Sequence, residues 1–342
     1  MRTDNLKANL GLTKRVQGIL VSSALSVSGL VAACSGGGEA SAPAPTSSMS
    51  PPSPPPTSSA NVMSETDVIY SSGLIQNGAV NLLMDIYQPD GDCIEPRPFV
   101  VGIHGGGFVG GSKSSSNWVT NMEAVSAAGY VGISIDYRLV GDGPLVSAEF
   151  QPIADDFDEE ATRLGLNDTQ REVLNSAAAA IEDAATALVW ARDNAAARCL
   201  DPDRFAIWGS SAGAITALHV SHGLDEYFID RPKPLVVIDY WGRLFLDGLV
   251  DAEGPPLMIV HGTADQSQIY EDTAVVLAAE ADAVRLPFSF YTIQDGPHGF
   301  SSVNPGRVVI NGETPLNVTI EFISDHLSGG SPNYESQTVI PN

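Results

Sequence analysis

Only three cysteines occur among the 342 residues, Cys34, Cys93 and Cys199, and no two of them have the C-x-x-C spacing of a zinc or redox site. No H-E-x-x-H pair is present. The sequence therefore supports no structural or catalytic metal, and nothing in it calls for a cofactor. Basic residues are scarce as well: 17 Lys and Arg stand against 41 Asp and Glu, a formal net charge of −24. So acidic a chain repels phosphate backbones, which argues against nucleic acid as a partner. The acidity reads as a solvated surface. Long unbroken hydrophobic runs are also missing. The most apolar stretch, Val16 to Ala33, is interrupted by Gln17 and several serines. It makes a poor membrane span but a good secretion-signal core, with Lys7, Lys14 and Arg15 as its basic start.

What is present divides the chain into segments. After the signal (1–33), residues 34–60 are rich in Gly, Ser, Ala, Pro and Thr and include Pro51-Pro52-Ser53-Pro54-Pro55-Pro56. Such a composition cannot bury a core and predicts an extended tether. A folded domain is expected over 61–327, followed by a polar tail over 328–342. Within the domain, Val80, Leu82, Met84 and Ile86 alternate as a half-buried strand after the Asn77-Gly78 turn. Short apolar runs follow at 99–103, 131–135, 205–208, 235–238, 257–260 and 288–293, suited to parallel strands covered on both faces. Helices are expected between them, at 118–128, 177–196, 212–222, 270–281 and 315–327, the last with Thr314 as N-cap and Pro315 at its first position. The alternation predicts an α/β class with a mostly parallel central sheet and helices on both faces. One sizeable extra segment, 141–175, carries nine acidic residues against two arginines and reads as a small acidic cover.

Four motifs carry candidate chemistry. Gly209-Ser210-Ser211-Ala212-Gly213 falls between a strand and a helix, the setting in which a serine Oγ is lifted clear of a sheet on a tight turn. His104-Gly105-Gly106-Gly107-Phe108 follows the 99–103 strand, and glycines there let backbone N–H groups approach an oxyanion. The same loop matches a dinucleotide fingerprint through Gly105, Gly107 and Gly110, but a strand precedes it, where a nucleotide site would use the first strand. His261-Gly262-Thr263-Ala264-Asp265 puts Asp265 in a loop at the C-terminal end of a strand, where the sites of open α/β sheets gather. Asp239 and Glu271 compete with it for the role of acid. Gly296-Pro297-His298-Gly299-Phe300 places His298 in a loop after the acid, and no other histidine of the six is so placed. Phe108, Tyr137 and Trp241 fall near the C-terminal strand ends and are candidate substrate contacts, with packing beneath the cover as the competing reading.

Taken together, these motifs and Asp136-Tyr137-Arg138-Leu139 resemble the α/β-hydrolase esterases of the hormone-sensitive-lipase and bacterial feruloyl-esterase-like groups. The resemblance implies the α/β-hydrolase fold and a serine carboxylic ester hydrolase. Ser211 would be the nucleophile, His298 the base and Asp265 the orienting acid, with the amides of Gly106, Gly107 and Ala212 as oxyanion hole. Small or aromatic esters would be the substrates. Amide or formamide cleavage on the same fold remains an alternative, as does a non-catalytic binding lipoprotein. Ser210 departs from the Asp that often precedes the nucleophile in the hormone-sensitive-lipase group. The same family likeness makes the 99–103 and 205–208 strands parallel neighbours, so Cys93 and Cys199 are expected to pair, with two separate buried thiols as the other possibility. Val31-Ala32-Ala33-Cys34 resembles the lipobox of bacterial lipoproteins, which implies lipidation at Cys34, contact with the membrane by that anchor only, and a place in the cell envelope, with sorting to the outer membrane. An ordinary secretory signal is the other reading.

Overall fold

The central sheet of the computed structural model has nine strands, and the structure describes residues 62–300 and 307–341. The expected signal, Cys34 and the tether lie outside the described residues. The strands are β1 (Val62–Ile75), β2 (Gly78–Pro89), β3 (Arg97–Ile103), β4 (Val131–Ile135), β5 (Leu200–Ser210), β6 (Val236–Tyr240), β7 (Leu257–Gly262), β8 (Phe288–Ile293) and β9 (Ser336–Val339). Their order across the sheet is β1-β2-β4-β3-β5-β6-β7-β8-β9. The β1/β2 and β2/β4 pairs are antiparallel, and every other pair is parallel.

Alternation along the central strands separates two cores. Phe99, Val101, Ile103, Phe205, Ile207, Val237, Leu257 and Ile259 point to one face. There they meet Ala177, Ile181, Ala184 and Leu188 of a long helix, α3 (Asp168–Asp193), which follows α2 (Gln151–Leu164). Val100, Trp208, Ile238, Met258 and Val260 point to the other face, against Trp118 and Met122 of α1 (Ser116–Ala127). Burial on both faces is why these strands read as nearly continuous apolar runs. Other helices include α4 (Ala212–Leu218), α5 (Ala274–Val284) and α6 (Pro315–Leu327). Thr314 caps α6, its side chain accepting from Asn317 N–H at 3.2 Å.

Three features depart from the sequence expectations. β1 was not anticipated: it is largely exposed and its register shifts twice, so no clean alternation marks it. The helix expected over 177–196 begins nine residues earlier, at Asp168, because Asn167 and Gln170 form a capping box ahead of the apolar stretch. The polar tail expected over 328–342 is corrected as well. Within it, β9 adds in parallel to the edge of β8, Tyr334 packs edge-on against Phe322, and Glu335 accepts from the Tyr291 hydroxyl at 2.9 Å. Four residues of mixed polarity on a sheet edge carry too little pattern to be read in advance.

Cys93 and Cys199 form a disulfide with Cα atoms 5.8 Å apart, joining the segment before β3 to the start of β5. Arg138 supplies a second cross-connection. Its guanidinium is almost wholly buried and donates to Asp183 and Glu182 of α3, and to the Leu74 and Leu145 carbonyls. A buried ion pair adds little net stability, but losing one partner would strand the other charge. Arg138 thus fixes where the chain leaving β4 meets β1 and the cover.

Candidate active site

Ser211 stands at the turn from β5 into α4, with φ +53 and ψ −120, a conformation side chains rarely adopt. Its N–H donates to the Tyr240 carbonyl at 2.8 Å, which pins the turn to β6. The turn is closed so tightly that a Cβ at Gly209 would lie 2.2 Å from the Gly213 carbonyl oxygen. Glycine at 209 is therefore a steric requirement of the turn that presents Ser211.

His298 and Asp265 arrive from two loops that are stitched together. Thr263 N–H donates to the Ile293 carbonyl and Ala264 N–H to the Gly296 carbonyl, each at 3.0 Å. His298 Nε2 lies 2.9 Å from Ser211 Oγ, and His298 Nδ1 lies 2.7 Å from Asp265 Oδ2. A carboxylate only accepts, so the proton of that contact sits on Nδ1, leaving the Nε2 lone pair for the serine hydroxyl. The Ser267 and Gln268 N–H groups donate to Asp265 Oδ1 at 2.7 and 2.8 Å. The structure thus brings together all three residues expected from the motifs.

The competing acids are placed otherwise. Asp239 is fully buried at the end of β6, and its Oδ1 accepts from Gly242 N–H at 2.8 Å. Burial pushes its carboxyl up to about 7. Glu271 is exposed on the single turn Tyr270–Asp272.

The glycine loop after β3 lies against the Ser211 turn. Gly106 has φ +124, and a Cβ there would meet the Gly110 carbonyl oxygen at 2.0 Å. Among the described residues nothing accepts from the Gly106 or Gly107 N–H. Ala212 opens α4, where first-turn N–H groups have no intrahelical partner. Behind the loop, Tyr137 donates its hydroxyl to the His104 carbonyl at 2.9 Å and stacks on the His104 ring at 4.3 Å. Asp136 Oδ1 accepts from Lys113 N–H at 2.7 Å and lies 3.5 Å from His104 Nε2. Lys113 Nζ in turn reaches Asp67 and the buried Asp85, both at 2.8 Å. This bracing was not foreseen; the DYRL stretch carried the signal, since Asp136 and Tyr137 hold the loop from outside.

Two of the three candidate substrate contacts are corrected. Phe108 and Tyr137 are 2% and 4% exposed and pack on each other, so both serve the core beneath the loop. Trp241 lies beside the site, its ring centroid 6.2 Å from that of His298. The acidic segment 141–175 contains α2, which is fastened by its apolar side. Phe157 packs edge-on against His219 and Phe245, and Tyr227 donates to Asp156 at 2.7 Å.

Comparison with known proteins gives the same architecture. A family model named BD-FAE matches residues 84–154, and one described as alpha/beta hydrolase fold matches residues 175–243. Acetylcholinesterase from Gallus gallus is 33% identical over 133 residues, covering 39% of this chain and 14% of its own. Secreted lipase 5 from Gibberella zeae is 28% identical over 170 residues, covering 47% of this chain and 26% of its own. The chain therefore spans about a quarter or less of the length of these curated relatives. A thermophilic esterase from Thermogutta terrifontis, solved with propionate bound, superposes with a TM-score of 0.54 at 22% identity, covering 80% of this chain and 96% of its own. By these matches and by its sheet order, the chain has the α/β-hydrolase fold.

Proposed function

We propose that this chain is a serine carboxylic ester hydrolase working through an acyl-enzyme on small or aromatic esters. The observation that carries the reading is the continuous relay from Ser211 Oγ through His298 to Asp265, at 2.9 and 2.7 Å. His298 Nε2 takes the hydroxyl proton as Oγ attacks the ester carbonyl, and Asp265 holds the imidazole that becomes charged. The Gly106, Gly107 and Ala212 N–H groups face the developing oxyanion, each worth about 10²–10³ in rate. As the carbonyl re-forms, the ester C–O bond breaks and His298 protonates the departing alcohol. Water then attacks the acyl-enzyme by the same proton path and releases the acid and free Ser211.

Small acyl groups are favoured because α2 is fastened to the body by Phe157 and Tyr227, unlike a lid built to swing. Trp241 beside His298 offers an aromatic wall. The acidic surface of α2 disfavours anionic esters. Secretion accords with the secreted lipases of Gibberella zeae and Botryotinia fuckeliana among the relatives, and we place the protein in the cell envelope, lipidated at Cys34. The function is tested by Ser211→Ala in p-nitrophenyl acetate hydrolysis. Loss to background in a folded variant supports it, and activity within tenfold of the parent refutes it.

A further inference from the structure

We propose that His261 is a positioning residue for the reaction, its Nε2–H anchoring the Gln268 carbonyl and its Nε2 edge lying 3.2 Å from the same Asp265 oxygen that meets His298. The inference rests on the triad reading above.

His261 ends β7, and its side chain is wholly buried. Its Nε2 lies 2.8 Å from the Gln268 carbonyl oxygen and 3.2 Å from Asp265 Oδ2. Both neighbours are acceptors, so the ring proton must reside on Nε2. Nδ1 has no hydrogen-bond partner among the described residues. Burial lowers the affinity of this imidazole for a second proton, outweighing the pull of Asp265. The groups around it are Asp265, His298, the Gln268 carbonyl and the Tyr270 ring, 6.0 Å from its own. A neutral ring with one inward N–H has two effects. It anchors the Gln268 carbonyl, fixing the turn whose Ser267 and Gln268 N–H groups bind Asp265 Oδ1. It also gives Oδ2 a second positive edge beside His298 Nδ1–H. Asp265 is thereby held from both oxygens and cannot rotate away from the base.

The test uses the full chain with His261→Leu, which keeps bulk and loses the donor, and His261→Gln, whose amide N–H reaches the Nε2 position. The Leu variant should lose about 10- to 100-fold in kcat with KM within about twofold, the scale on which misplaced catalytic groups fail. The acid limb of its kcat/KM profile should move to higher pH, because a carboxylate freed of the His261 N–H stabilises the His298 imidazolium more strongly. His261→Gln should recover most of the loss. On an Asp265→Asn background His261→Leu should cost nothing further, since the effect runs through the carboxylate. An unshifted acid limb with kcat within twofold of the parent overturns the proposal, as does a full additional loss on the Asp265→Asn background. If the Leu variant does not fold, His261→Asn, too short to reach, takes its place with the same outcomes. Ser211→Ala, assayed alongside, separates the two claims. If it is inactive while His261→Leu is unimpaired, only this inference falls; if it is active, the triad reading falls and this one with it.

Discussion

Asp265 and His298, 33 residues apart, meet at 2.7 Å, a fully buried carboxylate against an imidazole whose side chain is 28% exposed. The carboxylate is shielded from water while the imidazole keeps part of its surface exposed. Asp239, at the end of the neighbouring strand, has equal burial, but where Asp265 Oδ2 meets His298, Asp239 Oδ2 has no hydrogen-bond partner among the described residues. Asp265→Asn should therefore lower kcat by about 10³–10⁴, because an amide favours the wrong imidazole tautomer. Asp239→Asn preserves an acceptor for Gly242 and should cost less than about tenfold. Steady-state rates of the two variants on one p-nitrophenyl ester check the assignment, and the reverse ranking would move the acid to Asp239.

The fold should lose stability in mild acid through His222. Its ring is 4% exposed, both nitrogens lack partners among the described residues, and burial lowers its pKa to about 4. The unfolded chain, with an ordinary histidine near 6.5, binds a proton that the folded form refuses between those values. Stability from this group is present above about pH 6.5 and is lost as pH falls towards 4. His222→Leu should therefore gain on the parent by about 1.4 kcal/mol per pH unit over that window. Urea midpoints of both proteins at pH 7, 6 and 5 measure the difference, whose pH-dependent part should vanish above pH 7.

The disulfide closes a loop across 106 residues, so it should stabilise mainly by restricting the unfolded chain. Replacing both Cys93 and Cys199 by serine should cost about 2–4 kcal/mol, read from denaturant unfolding at neutral pH. Activity at low temperature should persist, since neither residue touches the site. Equal stability of the reduced and oxidised parent would contradict the role.

Much of the site could be read in the sequence because tight chemistry needs glycine at fixed offsets. Gly209 has no room for a side chain, and Gly106 adopts a positive φ, so both leave local signatures. The central strands declared themselves for a similar reason, being apolar on both faces. What could not be read depends on contacts between distant residues. The 0% exposed His261 looks like any strand end until Gln268 and Asp265 fold back on it. Lys113 and Asp85, 28 positions apart, reveal themselves as a brace only once β2 and the glycine loop are adjacent. Phe108 and Tyr137 stand near the C-terminal strand ends, as their sequence positions imply, but which way each ring turns is decided by Tyr137 stacking on His104 and Phe108 packing on Tyr137.

Chain-length preference tests the fastened cover. With α2 held by Phe157 and Tyr227, p-nitrophenyl acetate and butyrate should give the highest kcat/KM, and palmitate at least about tenfold less, a few methylenes' worth of lost binding. Methyl ferulate should be cleaved if Trp241 walls the acyl site. Palmitate as the best substrate would show that α2 moves aside.

The central claim, an activated nucleophile at Ser211, is tested most directly by reacting the native protein with a fluorophosphonate and mapping the adduct by mass spectrometry. Ser211 lies 2.9 Å from His298 Nε2, so its Oγ should displace fluoride and yield one adduct per chain on the peptide holding Gly209 to Gly213. His298→Ala should abolish the labelling. No adduct on the folded native protein, or an adduct on another serine with Ser211 unmodified, would contradict the account.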